Sequence, residues 1–230
     1  MRPCKPAFEA ASCGPTIPRS PTIDHTVPPR KHQELLTAAI ERDGEAQREL
    51  LDGHLEAARA EFAEAAELYR QSWDAAPPRA YGRLVGMLKS SVLAGGGGEE
   101  ARYARAALVD ADPDSATANY ARAIAALIAG DDEDAHAWAA RMSSAPDAFA
   151  RTAEAISALA ARDEARYADA LEAIVRDFER RGEYLTGVAI ADTALMLEAL
   201  AGRRGMGAAI ESPVLPAVRA GRAGRAGPIS

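Results

Sequence analysis

Cysteine is almost missing from this chain of 230 residues. The two present, Cys4 and Cys13, sit in a proline-rich start where no core can surround them, so no disulfide framework is expected. Aromatic residues make up only 5% of the sequence. Val, Ile, Thr and Tyr never gather into alternating runs of strand length, which excludes a β-rich fold. No stretch approaches the roughly 20 apolar residues that a bilayer span needs, and no secretory-type apolar stretch opens the chain. A cytoplasmic protein without membrane attachment is expected.

Reactive groups are equally scarce. His25, His32, His54 and His136 are scattered, with no second His or Glu at metal-ligand spacing. The run Gly95 to Gly98 is not followed by Gly-Lys-Ser/Thr, so it reads as an inter-helix turn and not as a phosphate loop. Asp110, Asp112 and Asp114 alternate like the opening of a calcium loop, but Ser115 stands where Gly is needed and Ala121 where a bidentate Glu is needed. Asp131 to Asp134 hold four acids, which suit the start of a helix better than a metal. There is no Gly-x-Ser-x-Gly elbow and no cysteine in the body. An enzyme is left without support, and neither cofactor nor metal is expected.

What fills the chain is Ala, Leu, Glu and Arg, arranged in helical periods between Gly and Pro stops. In 164–181, Tyr167, Ala170, Leu171, Ile174, Val175 and Phe178 form one apolar stripe. Leu55, Ala58, Phe62, Ala65, Ala66, Tyr69 and Trp73 form a second, and Tyr81, Leu84, Val85, Leu88 and Val92 a third. With stops at Gly53, Pro77-Pro78, Gly95 to Gly98, Pro113, Gly130, Pro146 and Gly182, the pattern predicts nine helices: 33–51, 55–75, 80–94, 99–110, 116–129, 132–143, 148–161, 164–181 and 184–203. Asp114, Asp131 and Asp147 stand where they would cap the helices that follow. The last segment is apolar all round, through Leu185, Val188, Ile190, Leu195, Met196, Leu197 and Leu200, and is predicted to be buried on every side as a C-terminal cover. Pro213 to Pro216, with Val214 and Leu215, is expected to fold back on it.

Three regions follow: a disordered proline-rich leader at 1–30, a single helical domain at 31–216, and a disordered basic tail at 217–230. The leader is so unlike the rest that translation is hypothesised to begin near Val27. The formal charge is −7, yet the leader carries a net +2 and the tail, through Arg219, Arg222 and Arg225, a net +3. Removing both leaves the middle near −12. Such a body repels phosphate backbones and anionic membranes, so neither nucleic acid nor membrane is an expected partner.

The stops also recur. Pro78 and Pro113 stand 35 residues apart and Pro113 and Pro146 33 apart, with two helices between each pair. Gly53, Leu55, Ala58, Phe62 and Ala65, then Gly130, Asp131 and Ala135, and Ala101 with Pro113, follow the spacing of a second repeat helix. On these residues the stretch 36–181 resembles the tetratricopeptide-repeat family. The first helices fit less well: Tyr120, Ile124 and Leu127 fall one residue from the family's bulky positions relative to Gly130.

The resemblance implies an all-α fold, a right-handed stack of antiparallel helix pairs (an α-solenoid) with the C-terminal helix as cap. It also implies a non-catalytic scaffold or adaptor holding a protein or peptide in a groove lined by first helices. Arg83, Lys89, Arg122 and Arg151 would be the contacts. A second reading is an immunity or regulatory protein that neutralises a toxin through its acidic face. A third is an enzyme or small-molecule binder with a pocket near Asp192. Asp192 and Thr193 interrupt the apolar last helix, and a buried carboxylate must be paired; Arg176 or Arg180 on the preceding helix is the expected partner.

Overall fold

Helix-forming composition and the Gly and Pro stops produce, in the computed structural model, nine helices and no strand among the described residues, which are 29–145 and 147–217. The leader through Pro28, with Cys4, Cys13 and the hypothesised start at Val27, and the tail from 218 onward lie outside them. The helices are α1 (Pro29–Leu51), α2 (Leu55–Asp74), α3 (Gly82–Leu93), α4 (Gly98–Ala107), α5 (Ala116–Ala129), α6 (Asp132–Ala140), α7 (Asp147–Ala160), α8 (Glu164–Glu179) and α9 (Asp192–Gly202). No helix of the described chain is long and apolar enough to cross a membrane.

The helix ends have identifiable causes, some different from those expected. Ser115, not Asp114, caps α5 by accepting the N–H of Ala118 at 3.3 Å. Asp114 instead donates its N–H to Asp112 Oδ1 at 3.0 Å, closing a local turn. Asp163 caps α8 through the N–H of Arg166. Asp131 precedes α6 without capping it and is taken by Arg105 from α4. Asp147 is the first residue of α7 rather than its cap. Gly130 ends α5 at φ +81°, a conformation that only glycine adopts at low cost.

Each helix packs on the next in sequence, and α5 also packs on α3 and on α7. The apolar stripes meet in these contacts. All six stripe residues of α8 are buried, as are Ala58, Phe62, Ala65, Ala66 and Tyr69 of α2. Leu55, placed in the same stripe by its spacing, is exposed because it opens the helix at the turn. One core of buried side chains runs from Ala39 to Val214, and a smaller cluster joins Ala46, Ala58 and Phe62.

The largest departure from expectation lies in 184–191, which is not helical. Gly187 turns the chain at φ +71°, with its N–H on Tyr184 O, and Ala191 donates to Val214 O at 2.8 Å. The predicted helix is therefore shortened to 192–202. Val188 and Ile190 are still buried, whereas Leu185 is 78% exposed on the turn. Nor does α9 cover only the final pair: it packs against α7 and α8 but also reaches back to α3. Arg203 bonds Gly96 O, and Arg204 bonds both Leu127 O and Asp132, tying the end of α9 to the α3–α4 and α5–α6 turns. Val214, between Pro213 and Pro216, folds back onto this segment and is buried.

Candidate functional site

Where the 184–191 segment crosses the helices, a cavity of about 350 Å³ remains. Its walls come from α1, α3, α5, α7, α8 and the start of α9, with two aromatic side chains from α2 and the 184–190 segment along one side. Lining groups include Phe62, Val85, Phe149, Ile174, Phe178 and Val188, so most of the wall is apolar. Among the described residues, no histidine or cysteine lines it.

A buried polar cluster sits on the α1–α3–α9 side. Lys89 projects from the third helix and pairs with Asp192 Oδ2, the two side chains being 16% and 27% exposed. The same ammonium donates to Thr193 Oγ1 at 3.2 Å, and Asp192 Oδ1 accepts the Thr193 N–H at 2.6 Å. Asp43, from α1, accepts the Ser90 hydroxyl at 2.7 Å and the Tyr69 hydroxyl at 3.1 Å. Helix α3 passes close to the Tyr69 ring at Gly86, where a Cβ would stand 2.7 Å from it.

The charges respond to this burial. Asp43 is raised from an ordinary 3.8 to about 6, first by burial, with a smaller push from the Asp192 carboxylate. The Ser90 hydroxyl, the Lys89 ammonium and the Tyr69 hydroxyl oppose the rise without cancelling it. Burial works against the charge on Lys89, but Asp192, Tyr120 and Asp43 together hold it above the usual lysine range. Lys89 is thus a fixed cation, not a nucleophile. The phenols of Tyr69 and Tyr120 are pushed up, chiefly by burial.

Tyr120 is the anomaly. It lines the cavity, is 8% exposed, and is held edge-on to Phe149 with ring centres 6.2 Å apart. Its hydroxyl has no hydrogen-bond partner among the described residues. The Thr193 hydroxyl, which accepts from Lys89 and donates to Asp192, lies beside it with a lone pair to spare and draws the phenol down against the effect of burial, but no bond of ordinary geometry joins the two. Leaving a buried hydroxyl unsatisfied costs about 1–3 kcal/mol, so such a group needs an explanation.

On the α7–α8 side, Arg151 and Arg181 share Asp177, at 2.6 Å to Oδ1 and 2.8 Å to Oδ2. Arg181 also lies over the Phe178 ring at 3.7 Å.

The four cations expected to line a common groove are dispersed. Lys89 and Arg151 line the cavity; Arg83 and Arg122 do not. Arg83 donates to Ser72 Oγ at 2.8 Å and meets His32 Nδ1 at 2.9 Å. Arg122 holds Leu108 O and Ala111 O and stacks on Trp138 at 4.6 Å. Asp192 and Thr193 do form a buried polar site, but its cation is Lys89. Arg176 pairs with Glu172 along its own helix at 2.5 Å, and Arg180 is exposed at the end of α8. The expected arginine partners fail because α9 lies back on α3, which brings residue 89 to residue 192.

Asp43, Tyr69, Ser90 and Tyr120 were not among the expected site residues. A signal for Asp43 exists: it falls on the buried stripe of α1 with Ala39 and Ala46. Among the described residues no group of three His, Cys, Asp or Glu side chains converges as a metal site.

The fold and cavity define an all-helical protein with a mostly apolar pocket and a buried polar end. No protein-family model matches the chain, and no curated protein and no solved structure matches it either.

Proposed function

We propose that this chain is a non-catalytic binding protein, a tetratricopeptide-like stack whose ligand is a small molecule held in the cavity beside Asp192. The packing of α3, α5 and α7 in series, each followed by a partner helix, supports the stacked reading. Binding is carried by one observation: the buried, unpartnered Tyr120 hydroxyl in a 350 Å³ cavity. That volume is at the scale of small-ligand sites, which pair apolar walls with a few placed polar groups. A ligand supplying one hydrogen bond would relieve the only unsatisfied buried side-chain atom among the described residues.

The reading as a peptide scaffold has less support, since Arg83, Lys89, Arg122 and Arg151 are each bonded within the chain and do not line one surface. Catalysis has less support: Asp43 does hold the Ser90 hydroxyl at 2.7 Å in the cavity, but that hydroxyl also lies 3.0 Å from Gly86 O on its own helix.

Thermal unfolding of the full chain against a metabolite panel tests the proposal. A ligand present at 100 times its Kd adds about 2.7 kcal/mol, or roughly 5–10 °C in Tm for a chain of this size. The shift should shrink for Tyr120→Phe and Asp192→Asn. A panel in which no compound stabilises the wild type more than these variants would reject the site.

A further inference from the structure

The polar end of the cavity is not charge-neutral. Lys89 is matched by Asp192, so Asp43 remains as a carboxylate whose direct partners among the described residues are the neutral hydroxyls of Ser90 and Tyr69. Two carboxylates therefore face one ammonium, in a compartment walled by Phe62, Tyr69, Tyr120 and Phe149. An excess negative charge among aromatic rings favours an organic cation, through direct attraction and through the ring faces. Across the cavity the balance is reversed, because Arg151 and Arg181 share the single carboxylate of Asp177. A second cation further along a ligand is disfavoured there.

Resting on the pocket reading above, we propose that the ligand is an apolar monoamine whose ammonium sits against Asp43, with the Tyr120 hydroxyl accepting one of its protons. Lys89 and Ser90 on α3, Tyr69 on α2 and Asp192 on α9 are the groups that set the field at Asp43, while Arg151, Asp177 and Arg181 line the same cavity on the α7–α8 side. Of these, Lys89 is held charged by Asp192, so Asp43 is the one titrating near neutral pH. An ammonium binds its anionic form only. Affinity for the amine should rise about tenfold per pH unit below 6 and flatten above it, and binding should release a proton near pH 6. A carboxylic acid in the same place would show the opposite slope.

The test is isothermal titration of the full chain at pH 5, 6, 7 and 8 with matched probes: phenethylamine, tryptamine and hexylamine, their carboxylic-acid isosteres, and 2-phenylethanol. The expected result is that at least one amine binds at least tenfold more tightly than its acid and alcohol counterparts, with the rising pH profile. In Asp43→Asn, which keeps the shape and removes the charge, that preference should fall at least tenfold and the pH slope should vanish. Tyr120→Phe should weaken the amine several-fold at every pH without altering the slope. Binding of the acid or alcohol in preference to every amine would overturn the monoamine while leaving the pocket standing. Amine affinity unchanged in Asp43→Asn would overturn it as well. No binding of any probe, charged or neutral, would remove both the amine and the pocket reading.

Discussion

Replacing Lys89 by Met exposes the electrostatic logic of the cavity most directly. Met is close in length and keeps the apolar stem, so the change removes little beyond the charge. It leaves Asp192 and Asp43 facing one another with no cation between them. Breaking a buried pair from one side costs about 3–5 kcal/mol, and since Asp192 keeps 27% of its side-chain exposure the lower figure, about 3 kcal/mol at pH 7.5, is the better expectation. The cost depends on pH in a definite direction. In the wild type the folded Asp43 titrates at about 6, above its ordinary 3.8, so the folded protein binds the extra proton between those values and stability falls as pH rises through them. Lys89 opposes that rise, so without it the window extends upward and the variant goes on losing stability above pH 6, where the wild type has stopped. Each pH unit of extension adds up to about 1.4 kcal/mol. Urea unfolding followed by far-ultraviolet circular dichroism at pH 5, 6, 7 and 8 measures the difference. The gap between the two proteins should be smallest at pH 5 and widest at pH 8. Adding Asp192→Leu to Lys89→Met should recover most of the loss, because the uncompensated carboxylate is then gone. A loss below about 1 kcal/mol, or one that does not change with pH, would refute the arrangement.

Asp43→Asn should flatten the wild-type stability profile between pH 4 and 6, where Asp43 loses up to about 3 kcal/mol as it ionises; a variant with an unchanged profile in urea unfolding would contradict the assignment. Gly86→Ala should cost about 1–3 kcal/mol by driving a methyl group into the Tyr69 ring, and tyrosine fluorescence should report the displaced side chain. Arg204→Ala should cost about 2–4 kcal/mol, because Arg204 is almost fully buried and its loss leaves Asp132 with only the longer contact to Arg162 and Leu127 O with only the Gly130 N–H; hydrogen exchange should show 192–217 losing protection before the remaining helices. Tyr167→Phe should cost about 1 kcal/mol in the same unfolding assay, the worth of its hydrogen bond to Glu198 at 2.8 Å.

How much of this was legible in the residue order depends on what kind of rule decides each feature. Helices α2, α3 and α8 are written in local spacing, since an apolar residue every three or four positions defines a buried stripe before any neighbour is known. The stops at Gly53, at Gly95 to Gly98 and, after α5, at Gly130 are local too. The segment 184–191 is misjudged by the same rule. Its apolar residues fit a helix buried all round, yet the Gly187 turn, the Thr186 hydroxyl on Gln47 at 2.5 Å and the bond from Ala191 to Val214 all favour an extended crossing. Two of those three contacts come from residues far away in sequence, where periodicity carries no information.

The site itself is divided between the two kinds of rule. Asp192 stands out as a carboxylate in an apolar helix, and the need for a partner follows from desolvation alone. Which cation answers depends on α9 lying back across α3, a choice made by Arg203 and Arg204 on backbone carbonyls more than 70 residues upstream. Asp43 is the more instructive omission. It shares a helical face with Ala39 and Ala46, both fully buried, so the stripe of α1 contains a carboxylate where an apolar residue is expected. A stripe interrupted by charge on two separate helices, with one lysine inside a third, is the pattern of a polar cavity rather than of a core. Two acids and one base then cannot all be neutralised by one another. The surplus charge at Asp43 is a consequence of that count, and it makes the sign of the ligand's charge the property of the cavity most open to measurement.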